Sequence, residues 1–257
     1  MSDAVAPREL SGLGRALRRR APKTSVVIAV DLASYIISAN LAEGSLLPNE
    51  KEMADELGVG RASIREALRL LETRGVIRIR SGPGGGPVIR KPQPSDFSSA
   101  LELSLQFERA TLAEAIRARE DLGPFTAKLA AARADAGQIK QLGEVVDLLN
   151  EDLRSDENFA QQGRRFEALL GEASGSIVVR IMADSLNAIL HDTIPHVDYS
   201  MQRRRNVANS LAHILASVAE GDQDAAEAQM DTYVRSGARY WRKFYPDLMA
   251  RPIRWTG

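Results

Sequence analysis

The chain has 257 residues, 44% hydrophobic and 26% charged, which is the length and mix of a globular protein with two ordinary domains. It has no cysteine, which excludes a disulfide framework, a thiolate zinc site and a cysteine nucleophile. No apolar run approaches the roughly 20 residues of a membrane span, and the opening MSDAVAPREL lacks the apolar core of a secretory signal; a cytoplasmic protein that does not meet membranes is expected.

The net charge is zero but unevenly spread. Residues 1–94 carry 15 Lys and Arg against 10 Asp and Glu, and the remainder carries 19 against 24. One end is suited to phosphate and the other is not. Residues 1–23 are polar and basic, with Arg18-Arg19-Arg20 and Pro22, and read as a flexible arm with room for a short helix at Leu10–Leu17. From Thr24 to Ala39, Val27, Val30, Leu32, Tyr35 and Ile36 recur at helical spacing, and Gly44 and Pro48 then break the chain. Asn49 is a good N-cap for a helix over Glu50–Leu57, with Glu50 and Glu52 in the first turn where the helix dipole favours acids. Gly58 ends it. A further helix runs from about Arg61 to Thr73 and stops at Gly75.

Val76-Ile77-Arg78-Ile79-Arg80 alternates and is β-branched, so it reads as a strand. Ser81–Gly86 is a turn, and Pro87-Val88-Ile89-Arg90 returns as the partner strand. Pro92 and Pro94 mark a linker placed at residues 93–100. Residues 101–249 are helical in pattern, with breaks near Gly123-Pro124, Ala136-Gly137, Gly171–Gly175, Pro195–Tyr199 and Gly221-Asp222. That spacing predicts six or seven helices in an antiparallel bundle. Residues 250–257 read as a tail. The expected class is mainly α: a winged helix-turn-helix over 24–92, with a small β-hairpin as the wing, followed by an all-α bundle.

Glu50 to Ala67 has helix-turn-helix proportions around the tight turn Leu57-Gly58-Val59-Gly60. Ala54 and Leu57 are expected to face Val59, Ile64 and Leu68. Arg61, Ser63, Arg65 and Arg69 then fall on the outer side, with Arg61 and Arg65 four apart on one face. Near the start of a recognition helix such residues meet base edges and phosphates, and arginine binds guanine O6 and N7 with two hydrogen bonds. The bland alternative is a solvated face paired with Glu66 and Glu72. The hairpin argues against it. Gly82 at its tip lets backbone approach phosphate or enter the minor groove, with Arg78, Arg80, Arg90 and Lys91 around it. The glycine run is not a nucleotide loop, because no Gly-Lys-Ser/Thr follows.

Glu43–Glu50, Leu57–Leu68 and Leu71–Ile77 resemble the signature of GntR-type bacterial transcriptional regulators. The resemblance implies a DNA-binding regulator. By position it makes Lys51 a phosphate contact, Arg61 and Arg65 base contacts, and Gly82 the wing-tip glycine. Gly60 and Ala62 stand where the family usually has Ser or Thr, so a helix cap or phosphate contact is expected to be weaker. The helical remainder is similar to the FadR-type subgroup, whose effector domain is the helical bundle called FCD. The matching features are Arg119, Leu129-Ala130-Ala131, Phe166, the Gly171–Gly175 break and Ala219–Asp222.

Many members of that subgroup hold a divalent metal with one Asp and three His. The corresponding positions here are Gly163, Glu167, Leu211 and Tyr233, which lack the converging donors a first-row metal needs. No family-type metal and no cofactor are expected; His213, on another helix face, leaves a shifted site as an alternative. Arg119 matches a pocket-lining arginine, so Arg119, Glu167, Leu211 and Tyr233 are expected to line a pocket for a small organic effector, such as a fatty acyl or other carboxylate. The bland alternative pairs Arg119 with Glu167 in a closed bundle. His191-Asp192-Thr193-Ile194-Pro195-His196 is not a His-Glu-x-x-His zinc motif and marks a helix end. Catalytic residues are not expected. The reading is a homodimeric regulator, a repressor rather than an activator, on a palindromic operator. The rivals are an architectural DNA-binding protein whose bundle only dimerises, and an enzyme or ligand-binding protein with an accessory DNA module.

Overall fold

The computed structural model describes residues 24–82, 84–193, 197 and 199–255; the basic arm over 1–23 lies outside them. The chain divides into one unit ending at Gln93 and a second beginning at Pro94.

The first unit starts with α1 (Thr24–Ser38). Its buried residues are Ser25, Ile28, Ala29 and Ile36, with Leu32 partly buried, whereas Val27, Val30 and Tyr35 are exposed. Helical spacing thus located the helix but not its buried face. A helix apolar on more than one side has no unique stripe for spacing to find.

Helix α2 (Glu50–Leu57) begins with a complete capping box. Asn49 Oδ1 accepts from the Lys51 and Glu52 amides at 3.0 Å each, and Glu52 Oε2 accepts from the Asn49 amide at 2.9 Å. Gly58 ends the helix with a left-handed φ of 64°. Leu57, expected in the core, is 55% exposed. The chain turns away at Gly58, and Met53, one turn earlier, fills the core beside Ala54. Helix α3 (Arg61–Thr73) buries Ile64, Ala67, Leu68 and Leu71 against α1 and α2. Strands β1 (Ile77–Arg80) and β2 (Gly86–Ile89) pair antiparallel, Ile77 opposite Ile89 and Arg80 opposite Gly86. Leu46 bridges Val88, which fixes the outer side of β2.

The second unit holds α4 (Pro94–Phe107), α5 (Leu112–Arg133), α6 (Ala136–Glu151), α7 (Asp156–Ala173), α8 (Ile177–Thr193), α9 (Met201–Glu220), α10 (Gln223–Phe244) and the short α11 (Pro246–Met249). Two expectations fail here for one reason. The segment placed as a linker at 93–100 is the first half of α4, and α5 runs unbroken through Gly123 and Pro124. Proline is tolerated at a helix start, which is where Pro94 sits. Within α5, tertiary packing outweighs the roughly 3 kcal/mol helix penalty of an interior proline. Gly123 lets α10 approach closely: a side-chain carbon there would lie 3.2 Å from Met230 Cε and 3.3 Å from Val234 Cγ1.

The expected tail is also structured as far as Trp255. Ile253 is fully buried and its amide donates to the Ala110 carbonyl at 2.9 Å. Trp255 Nε1 donates to Ser99 Oγ at 2.7 Å, and its amide donates to Gln106 Oε1 at 2.8 Å. The end of the chain therefore straps α4 to the bundle. Among the described residues no helix is long and apolar enough to cross a membrane.

Candidate nucleic-acid interface and buried polar cluster

Arg61, Arg65 and Arg69 lie on the exposed side of α3, four residues apart, with Ser63 half-buried beside them; Lys51 is exposed on α2. Arg65 does not pair with Glu66 or Glu72. It crosses to Glu50 of α2, whose hydrogen bonds and then charge hold the guanidinium pKa above its ordinary value. Glu72 Oε1 instead accepts from the Ile79 amide at 2.8 Å and ties α3 to β1. The start of α3 matches the expected weakness: Gly60 is the N-cap and supplies no side-chain bond.

Two of the arginines expected to give the wing its charge also build it. Arg80 Nη2 donates to the Gly84 carbonyl at 2.8 Å, and Arg90 Nε donates to the Gly75 carbonyl at 3.2 Å. Gly82 is exposed at the tip with φ +96° and open space around it. The stricter glycine is Gly85, which sequence reasoning passed over. A side-chain carbon there would lie 2.1 Å from the Arg80 carbonyl oxygen and 2.8 Å from that of Gly82. Gly85→Ala is expected to open the hairpin and destabilise the first unit by about 1–3 kcal/mol. Amide exchange is the check: protection in β1 and β2 falls in the variant while α6 and α9 keep theirs.

In the second unit Arg119 on α5, Glu167 on α7 and Tyr233 on α10 form one buried cluster. Arg119 Nη2 donates to Glu167 Oε1, and the Tyr233 hydroxyl donates to the same oxygen at 3.2 Å. The Arg119 guanidinium also sits over the Tyr233 ring, 5.5 Å from its centre. The Arg119 and Glu167 side chains are 11% and 8% exposed. Burial works against the charged guanidinium, but Glu167 and Tyr233 outweigh it and raise its pKa. Burial, then the charge of Glu167, pushes the Tyr233 phenol upward.

A cavity adjoins the cluster, bounded by Arg119, Thr126, Glu167, Leu186, Asn187 and Met230 among others. It is a half-open cleft of about 20 Å³, room for about one water molecule. Arg119 and Glu167 line it. Leu211 does not: it is fully buried within the main core cluster. Tyr233 does not line it either; its hydroxyl donates to Glu167, which does. The lining that the sequence did not reveal comes from α8, where Asn187 follows Ala183 and Leu186 on an otherwise apolar face.

Residues 24–85 match the family of bacterial regulatory proteins designated gntR, and residues 114–236 match the FCD domain. The repressor NanR of Salmonella newport is 27% identical over 249 residues, 93% of this chain and 94% of that protein. The regulator Rv0494 of Mycobacterium tuberculosis is 26% identical over 229 residues, 86% of this chain and 90% of that protein. The chain carries a GntR-family helix-turn-helix domain followed by an FCD domain. It is a DNA-binding transcriptional regulator with an FCD effector domain, and not an enzyme. A solved GntR structure from Streptococcus agalactiae shares the fold, with a TM-score of 0.68 at 23% identity over 84% of this chain and 99% of that one.

The divalent-metal positions implied by the FCD resemblance do not fit a cation in this member of the family. Gly163 has no side chain, Leu211 offers carbon, the Tyr233 hydroxyl is committed to Glu167, and Glu167 is neutralised by Arg119. His213 is exposed, so a shifted site there would not point into the bundle. Among the described residues no group of three or more His, Cys, Asp or Glu side chains is gathered.

Proposed function

We propose that this GntR regulator is a homodimeric repressor that binds a palindromic operator through α3 and the hairpin, and that a small organic effector acting at the Arg119–Glu167 cavity modulates binding without a metal ion. The observation that carries the reading head is the exposed arginine stripe of α3 beside a hairpin whose turn admits only glycine at position 85. Repression is supported by the relatives named as repressors. A dimer is supported by α8, where Ile177, Val178, Ile181 and Met182 form an exposed apolar face of the kind a second copy covers.

The buried cluster narrows the effector. Glu167 already neutralises Arg119, and removing one member of a buried pair costs about 3–5 kcal/mol. A plain carboxylate would have to displace Glu167 and leave it without its cation, held by the Tyr233 hydroxyl. A molecule with an acceptor for Arg119 and a donor for Glu167 satisfies both. The small cavity also means that α8 must move to admit it. Helix α8 packs against α4, and Ser185 Oγ donates to the Pro94 carbonyl at 3.4 Å. A shift of α8 therefore reaches the first residue after the DNA-binding unit, and the effector acts by favouring one of the two arrangements.

The test is fluorescence anisotropy on the operator selected from random DNA, repeated across a library of organic acids, amino acids and neutral polar molecules. A compound that weakens binding tenfold in wild type and not in Asn187→Leu supports the reading. Insensitivity to every compound favours the architectural alternative. Elemental analysis of tag-free protein is expected to show no stoichiometric zinc, nickel or manganese; one metal per chain would overturn the metal-free reading.

A further inference from the structure

Glu50 has no part in the contacts expected of a helix start. It opens α2, yet the cap of that helix is made by Asn49 and Glu52. Its carboxylate crosses to α3 instead. Arg65 Nε donates to Glu50 Oε1 at 3.3 Å and Oε2 at 3.2 Å, and Arg65 Nη2 donates to Oε2 at 3.1 Å. The two side chains are 56% and 38% exposed, where such a pair adds little stability. A carboxylate on a surface that must meet phosphates also opposes binding. Its value therefore lies in geometry.

A guanidinium has five N–H groups in a planar fork. Glu50 takes the Nε–H and one hydrogen of Nη2. Both hydrogens of Nη1 and the second of Nη2 remain, along the end of the fork away from Glu50. That end-on edge is the one that matches guanine O6 and N7 together. We infer that Glu50 is a positioning and specificity-determining residue: it locks Arg65 with its end-on edge toward a guanine. The same carboxylate repels phosphate, which suppresses use of Arg65 as a sequence-blind backbone contact. When the groove excludes water the pair strengthens, so the lock tightens as the base is read. The inference rests on α3 being the reading helix.

The test uses full-length wild type, Glu50→Ala, Glu50→Gln, Arg65→Ala and the Glu50→Ala/Arg65→Ala double variant. Anisotropy is measured over a range of salt on the operator that wild type selects from random DNA and on a scrambled duplex. Glu50→Ala is expected to bind scrambled DNA more tightly and to lose about tenfold in the ratio of operator to scrambled affinity, within the range of one misread base pair. Its salt slope steepens by about one, because the released Arg65 can meet a phosphate. Glu50→Gln, which keeps an oxygen acceptor and the helix start, falls between and carries the test if Glu50→Ala melts early. In the Arg65→Ala background, Glu50→Ala leaves the ratio unchanged. A ratio that does not fall, or that falls equally with and without Arg65, overturns the inference while leaving the reading helix intact. Failure of wild type to select any sequence overturns both.

Discussion

Arg119→Ala is expected to destabilise the helical domain by about 3–5 kcal/mol, because it removes one member of a buried pair and leaves the Glu167 side chain with Tyr233 as its remaining partner. For a domain of this size that lowers the thermal midpoint by roughly 10 °C. The double replacement Arg119→Met/Glu167→Leu removes both charges and is expected to stay within about 1–2 kcal/mol of wild type. Urea melts of the three proteins make the comparison. A loss below about 1 kcal/mol for Arg119→Ala would mean that the pair is not the buried anchor of α5 against α7.

The second large effect lies at the other end of the chain. Arg61→Ala is expected to lose about 1–3 kcal/mol of discrimination between the operator and a duplex altered at one guanine, up to roughly a hundredfold. Binding to random DNA should change far less. Equal losses on both duplexes, with a salt slope reduced by about one, would make Arg61 a phosphate contact instead. Arg61 opens α3 at an N-cap that lacks a side-chain bond, so Gly60 leaves the position of the exposed arginine stripe to packing by Ile64 and Leu68.

Local chemistry made the first unit readable. The Asn49 capping box, the Gly58 stop and the β-branched alternation of Val76–Arg80 each act within a few residues, and the structure has α2, α3 and the hairpin where those signals fall. What failed depended on the rest of the fold. The buried face of α1 was ambiguous because Val26, Val27, Val30 and Ile37 are apolar yet exposed. Pro94 and Gly123-Pro124 read as punctuation, but one starts α4 and the other lies inside α5, held by contacts with α10 more than a hundred residues away. Two loops were missed for want of Gly or Pro: Thr111 and Ser155 are the caps that mark them. In the cavity, Arg119 and Glu167 were named from the family resemblance. Asn187 was not, because a single amide on an apolar helix gives no spacing signal. Glu50 was read as a favourable first-turn acid, and only the approach of α2 to α3 reveals its bond to Arg65.

A pair of α3 helices is expected to read the operator, with Arg61 and Arg65 supplying the base contacts. The measurement is selection of the full-length protein's binding site from random DNA, followed by the same selection with Arg61→Ala and Arg65→Ala. Wild type is expected to enrich an inverted repeat with half-sites about one helical turn apart, centre to centre, and each variant to lose preference at one guanine in both halves. Enrichment of no sequence, or of an asymmetric site whose bases are unaffected by either replacement, would contradict it.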